Sequence, residues 1–592
     1  MFTQALHYYQ KHEFNKIIAI DSDDSRVLEL KGIAALKLEQ FELALSVFKT
    51  LLNKNDNAQN NYHAGLASLN LQNYTTAISF FNKAIADRKF RQASQINSAV
   101  CLFELKQNSK AIVLLTELVK SQEACHEAWY LLLKHFRQTL NIEQLKIHCQ
   151  HSQNNIQNTV EWQKSYALVL LHEKKYHQIC ETYLNSPFFE DIFIKSIVAK
   201  SHSKLSKFEQ AVAIYKEILQ DEKNALNYYN VGAAYSHLTD EKDLQQAIKY
   251  AQKCLEENPS YHMAHHTMAL SWQKLNNNTQ ALKCINNALA LDATNQSYLY
   301  DKAEILKNLQ QPQQALKILQ KLLALDKYHH TALRLKGIIK LQLHKNKSAE
   351  KNLKKAIKLD TTDQRAIAYY AISKLAQNKL EEVEELMALG YFVKEFRFNP
   401  QPDYASLEDF NRDFENDIKK HSQLRKEPYG LAARNGYLTA DLFADNTKSI
   451  QVFKKLLAQK IENYINQLPQ DSTHHMLRHK THDYSINSWA TWVHGDGFID
   501  KHIHEESWIS GAYYCKVPTI TQNAQQHEGY FEYGCIPHDI TLTSTKKRGY
   551  IQPVEGKLVI FPSYLYHQTI PHITDDDRIS VAFDLTPTSW LK

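Results

Sequence analysis

A period of about 34 residues runs through the first two-thirds of this chain and leaves it few folds to choose from. Aligned positions, small or apolar in all but one case, fall at Ala44, Ala77, Ala111, Leu145, Gln178, Ala211, Ala247, Ala281, Ala315 and Ala349, in steps of 33, 34, 34, 33, 33, 36, 34, 34 and 34; Leu145 and Gln178 stand where alanine is expected. Four residues later a large side chain usually follows (Phe48, Phe81, Leu115, Tyr215, Leu319). Twelve residues earlier stands a small one (Gly32, Gly65, Ala99, Ala269, Ala303, Gly337). The small residues let two antiparallel helices approach closely, and the large ones fill the groove to the next pair. A helix pair that cannot bury its own apolar face must stack on its neighbours, so the period predicts a solenoid.

Glycine and proline mark where that regime ends. Residues 1–400 hold five of the 14 glycines and four of the 13 prolines; the rest lie beyond. Residues seldom used inside helices are therefore scarce first and frequent later, which predicts helix followed by turns and strands. The repeat pattern covers roughly 20–360 as ten units, with a degenerate eleventh to about 389. Units around 128–185 depart most from it, and the step of 36 fits an insertion near 239–243. Apolar residues at helical spacing predict two more helices, over 404–420 and 448–468. Then come four strand-like runs, SINSWATWV, SWISGAYYCKV, GKLVIF and RISVAFDL, bounded by turn-forming clusters such as GDG, PVEG and TDDD. Their spacing suggests a sandwich or small barrel.

Segment 60–86, NNYHAGLASLNLQNYTTAISFFNKAIA, resembles the tetratricopeptide repeat. That resemblance implies a concave surface that binds a protein or peptide, and no particular groove residue is assigned to it. Charge argues against other partners. A net charge of +6 over 592 residues, with no long basic run, leaves no footprint for nucleic acid or an anionic membrane surface. No apolar stretch approaches the ~18 residues of a membrane span. Eight cysteines without a CxxC pair read as reduced thiols, and no secretory signal is visible at the N-terminus. The expectation is a soluble, cytoplasmic protein.

The candidate chemistry lies near the C-terminus. His502 and His504 form an HIH on extended chain, where residues i and i+2 share a face and can reach one metal ion. A third histidine, His567, follows VIFPSYLYH. Eleven residues on, Arg578 opens the apolar run RISVAF with Ser580 on its face. A guanidinium placed there costs burial energy unless it meets an anion, and it binds a carboxylate bidentately. With 29 histidines in the chain a chance HxH is not rare, so the motif gains weight from His567 and Arg578. Of Tyr513 and Tyr514, one should point inward.

The stretches 488–518 and 556–587 resemble the Fe(II)/2-oxoglutarate oxygenases, specifically those that carry tetratricopeptide repeats before the catalytic domain; 434–443 matches more weakly. The resemblance implies that His502, His504 and His567 hold Fe(II), that Arg578 and Ser580 hold the distal carboxylate of 2-oxoglutarate, and that O2 is the oxidant. One departure stands out, because most members of that superfamily use two histidines and a carboxylate. HGD (494–496) and HEE (504–506) offer Asp496 and Glu506 as alternative carboxylate ligands, although HGDG reads better as a turn. The implied fold class is α + β multidomain. An N-terminal all-α tetratricopeptide-repeat superhelix (1–390) is followed by a linker with flanking helices (391–483) and a double-stranded β-helix, or jelly-roll, core (484–592). The implied activity is hydroxylation of a protein side chain recruited by the repeats. The alternatives are a non-catalytic repeat scaffold with a degenerate oxygenase domain, or a cupin-like metalloenzyme that does not use 2-oxoglutarate.

Overall fold

The computed structural model describes residues 1–121, 125–426, 433–522, 526–542 and 548–591. They form two compact units, Met1–Asp221 and Glu222–Lys592.

Helix pairs fill the first unit and continue in the second as far as Met387. The spacing read from the sequence has a direct steric cause. A Cβ built on Gly65 would lie 2.5 Å from the Phe81 ring, one on Gly32 2.6 Å from Phe48, and one on Gly337 2.6 Å from Leu353. Each glycine is the socket for the large side chain of its own pair. In the unit with the insertion Gly232 instead lets the backbone of the paired helix approach, a Cβ built on it meeting the Ala247 carbonyl oxygen at 3.1 Å.

The backbone carries the same period, except in the unit with the insertion. Glu39, Gln72, Lys106, Leu140, Lys174, Ser206, Asn276, Gln310, His344 and Asn378 all take left-handed φ values of 52–60°. Each ends the first helix of a pair. At the first of these turns, Glu39 N–H donates to Leu36 O and Gln40 N–H to Ala35 O, the paired bonds of a Schellman cap. The fully buried small or apolar position follows five residues later every time.

That register corrects the fifth unit. Gln178 is exposed, and the buried position five residues after Lys174 is Ile179. A further pair, Phe2–Gln10 and Phe14–Ile18, precedes the predicted start of the repeats, with His12 left-handed and Ile17 buried.

Beyond the repeats, helices Leu407–Lys419 and Lys448–Gln467 form where predicted. Among the described residues ten strands follow the repeats: β1 Lys394–Arg397, β2 Arg425–Lys426, β3 Ala433–Leu438, β4 Tyr484–Ile499, β5 Ile509–Lys516, β6 Phe531–Tyr533, β7 Gly549–Ile551, β8 Lys557–Pro562, β9 His567–Thr569 and β10 Arg578–Pro587. They make two antiparallel sheets, one ordered β1-β8-β5-β10-β4-β3-β2 and the other β7-β6-β9. All four strand-like runs of the sequence fall in the larger sheet, and the long central pair is β10 against β4.

HGDG is not a turn. Residues 494–497 continue β4, with Gly495 at φ +64°, and a register shift sits opposite between Arg434 and Gly436. The glycine and aspartate mark an enlarged β-bulge, where residues 494–497 stand opposite Asn435 alone and three extra residues are absorbed without ending the strand.

In the second unit one apolar core runs without a break from Leu333 to Leu585. Its pivot is helix Gln364–Leu375, in which every residue except Arg365 is buried. The helix pairs end at Met387, and the packing continues past them without a gap.

Candidate metal centre

β4, β5, β8 and β10 of the larger sheet, β6 and β9 of the smaller one, and the turn between β4 and β5 enclose a cavity of about 420 Å³. Its lining includes His502, His504, His567, Arg578, Ser580, Tyr514 and Asp584. The turn carrying HIH is fastened to β9 by backbone bonds in both directions between His502 and His567, 3.1 Å each. His504 N–H donates to Ser563 O at 3.1 Å.

The three imidazoles converge. One ring nitrogen from each lies within 4.8 Å of the others, and Nε2 of His504 stands 3.3 Å from Nε2 of His567. Two nitrogens at metal–nitrogen distances of about 2.1 Å lie at about that separation when they share an ion, so the cluster fits one metal. Each ring is oriented by what its Nδ1 meets: the Asp500 carbonyl at 2.7 Å for His502, the Leu565 carbonyl at 2.8 Å for His567, and the Asp584 carboxylate at 2.9 Å for His504. With Nδ1 thus occupied, Nε2 is left for a ligand. Burial pushes His502 down to about 4 and His567 well below its ordinary range, and neighbouring imidazoles add to both shifts. Both rings are neutral and ready to coordinate at neutral pH.

Asp496 and Glu506 are exposed, and neither lines the cavity; Asp496 accepts a bond from Asn435 Nδ2 at 2.5 Å. His494 is also on the surface, paired with Asp577. Asp584 escaped the sequence reading. Its only signal was a fourth position on the inward face of β10, after Arg578, Ser580 and Ala582. Burial raises its carboxyl, but its contact with His504 and hydrogen bonds from Ser510 and Ser507 outweigh that and hold it below the usual carboxylate range.

Arg578 is 2% exposed. Its Nη1 donates to the Gly529 carbonyl at 2.6 Å, its Nε has no partner, and among the described residues no carboxylate pairs with it. The guanidinium carbon sits 5.3 Å over the Tyr514 ring, whose buried hydroxyl is likewise unpartnered. An unpaired cation and orphaned donors in one wall are costly unless a ligand anion satisfies them. Tyr513 points the other way, into the core, and donates to Asn411 Oδ1 at 2.5 Å.

Residues 487–584 match the model of the family described as "Putative 2OG-Fe(II) oxygenase", and residues 30–94 match that of the tetratricopeptide repeat. The chain thus joins a helical repeat region to a C-terminal antiparallel sheet region, within which the match to the oxygenase model falls. No curated protein matches it. Among solved structures it is similar to the APC/C hetero-tetramer Cut9–Hcn1, at 12% identity over 63% of this chain and 89% of that one, with a TM-score of 0.36. It is also similar to YrrB, a TPR protein with an unusual peptide-binding site, at 20% identity over 32% and 95%, with a TM-score of 0.25. MamA from Desulfovibrio magneticus matches at 19% identity over 29% and 96%, with a TM-score of 0.26. Among the described residues, no helix is long and apolar enough to cross a membrane. All eight cysteines are free and buried.

Proposed function

We propose that this protein is an Fe(II)- and 2-oxoglutarate-dependent dioxygenase that hydroxylates a protein side chain brought to it by the repeats. The observation that carries the reading is Arg578, a buried guanidinium without a carboxylate partner, in the same cavity as three converging imidazoles. A three-histidine cluster alone would suit zinc as well as iron. A cation awaiting an anion a short way along the same cavity is what a dicarboxylate cosubstrate needs, and a cupin-like enzyme would have no use for it.

In this reading the two sheets are those of a double-stranded β-helix, and His502, His504 and His567 hold the metal by Nε2. Iron with 2-oxoglutarate and O2 supplies an oxidant strong enough to hydroxylate an unactivated C–H bond. The chain's own work is binding and orientation. Arg578 and Ser580 take the distal carboxylate, and the Tyr514 hydroxyl lies ready to donate to the same ligand. The backbone carbonyls of Asp500 and Leu565 fix two rings. Apolar walls from Trp489, Phe531 and Phe561 exclude water. The repeats, which share a core with the sheets in the second unit, present the polypeptide substrate.

Anaerobic titration with Fe(II), then 2-oxoglutarate, tests the reading through the visible charge-transfer band of the chelate. A band that needs both additions and weakens in Arg578→Ala supports it. Bound metal with no band would point to a zinc or cupin-like site instead.

A further inference from the structure

A metal site of three neutral imidazoles leaves the ion's charge uncompensated, yet a carboxylate stands one residue away from it. Asp584 receives His504 Nδ1 at 2.9 Å and is the one acidic residue among those lining the cavity. The other two rings rest on backbone carbonyls, which no substitution removes. His504 alone is held by a side chain.

That side chain is itself held in a closed circuit. Ser510 Oγ donates to Asp584 Oδ1 at 2.6 Å and meets Ser563 Oγ at 2.7 Å. The Ser563 carbonyl accepts the backbone N–H of His504 at 3.1 Å. The circuit therefore starts at the His504 backbone and returns to the His504 ring. Its three supports come from β10, β5 and the turn after β8, elements that pair side by side in the larger sheet. A lone aspartate on a solvated strand would have no reason to be so constrained.

We infer that Asp584 is a positioning residue of the metal centre. Through His504 it fixes which nitrogen faces the ion, and it supplies from outside the ligand sphere the negative charge that a carboxylate ligand would otherwise bring. The inference rests on the metal site of the preceding section. A carboxylate behind a ligand imidazole makes that imidazole a stronger donor, and removing such a partner typically costs 10- to 100-fold in metal affinity. It also keeps the ligand set all-nitrogen while lowering the net charge of the occupied site by one.

The test is Co(II) binding to the full-length, metal-free protein under anaerobic conditions, read by calorimetry and by the visible ligand-field bands of Co(II). Wild type is compared with Asp584→Asn, Ser510→Ala and His567→Ala, and the melting temperature of each metal-free protein is recorded. The expected result is Co(II) affinity about 10- to 100-fold weaker in Asp584→Asn, with altered bands and a melting temperature close to wild type. Ser510→Ala, which keeps the charge, should lose only a few-fold. Equal affinity in wild type and Asp584→Asn would overturn the inference, as would a fall in melting temperature with affinity unchanged. If Asp584→Asn does not fold, Asp584→Ser takes its place under the same criteria. If wild type binds no Co(II), or His567→Ala binds it equally well, the metal site itself is wrong and both readings go. If His567→Ala abolishes binding while Asp584→Asn matches wild type, only the role of Asp584 fails.

Discussion

Arg365 of the last fully packed repeat helix lies 3.5 Å from Glu505, the residue next to His504. The turn that carries two of the three converging histidines is thus tied by an ion pair to the repeats of its own unit. A second tie lies nearby, where Tyr369 Oη donates to Asp539 at 3.0 Å and Gln342 Nε2 reaches the same carboxylate at 3.0 Å.

Because Glu505 is partly exposed, its pairing with Arg365 should contribute modestly. Arg365→Ala and Glu505→Gln should each lower the unfolding free energy of the full chain by about 1 kcal/mol in urea titrations. The double variant should lose little more than either single, the signature of direct coupling. Additive losses would show that the two residues act separately.

The continuous core of the second unit makes the position of a truncation decisive. A fragment of residues 222–592 should give a cooperative thermal transition with native-like near-UV circular dichroism. A fragment of 391–592 strips the sheets of helix Gln364–Leu375 and should be insoluble or melt without cooperativity. A well-folded 391–592 fragment would contradict the shared core.

Tyr514 carries an unsatisfied polar group into the cavity wall. Its hydroxyl is buried and unpartnered, and burial pushes its ionisation up to about 12, so it stays a neutral donor. Tyr514→Phe removes an unsatisfied group without opening a cavity, and should leave the ligand-free protein as stable or up to about 1 kcal/mol more so. The same variant should bind 2-oxoglutarate less tightly, measured by titration of the Fe(II)-loaded protein. Unchanged affinity would assign the hydroxyl no ligand.

Acid should destabilise the fold through three histidines that burial holds down, two in the repeats and one in the loop before β4. Burial holds His63, His148 and His475 down at about 4, chiefly because the charged ring is desolvated. Unfolded, these rings take up a proton near pH 6.5. Between about 6.5 and 4 the unfolded chain binds more protons than the folded one, so stability is complete above this window and falls as pH drops through it. The slope is about 1.4 kcal/mol per pH unit for each such group. Urea midpoints at several pH values should show this fall, and His148→Phe, which keeps the ring stack on Phe136, should make it shallower.

The repeats were legible because their constraint is local: Gly65 and Phe81 lie sixteen residues apart and touch. Where the fifth unit slipped from Ile179 to Gln178, the side chains had drifted from the pattern while the left-handed turn at Lys174 had not. Such a turn has no fixed residue type, since Glu39, Leu140 and His344 all serve, so no sequence pattern announces it. At the site, HIH, His567, Arg578 and Ser580 were visible as types at suggestive spacings, and all of them line one cavity. Asp584 was not visible, because an aspartate near the end of a strand looks like an ordinary solvent-facing residue until its neighbours are known. Glu505 with Arg365 is harder still: the two are 140 residues apart, and only the tertiary fold brings them together.

Stacked helix repeats ordinarily fray from both ends and need a polar cap at each. Here helix Gln364–Leu375 is buried on every side but that of Arg365, and turn residues of the sheet region, among them Glu505 and Tyr566, cover the face that a cap would otherwise shield. That end cannot peel away without opening the sheets, so unravelling has to start from the other end. The repeats of this unit behave as a zipper with one sealed terminus, and the cavity of the three histidines sits at the seal.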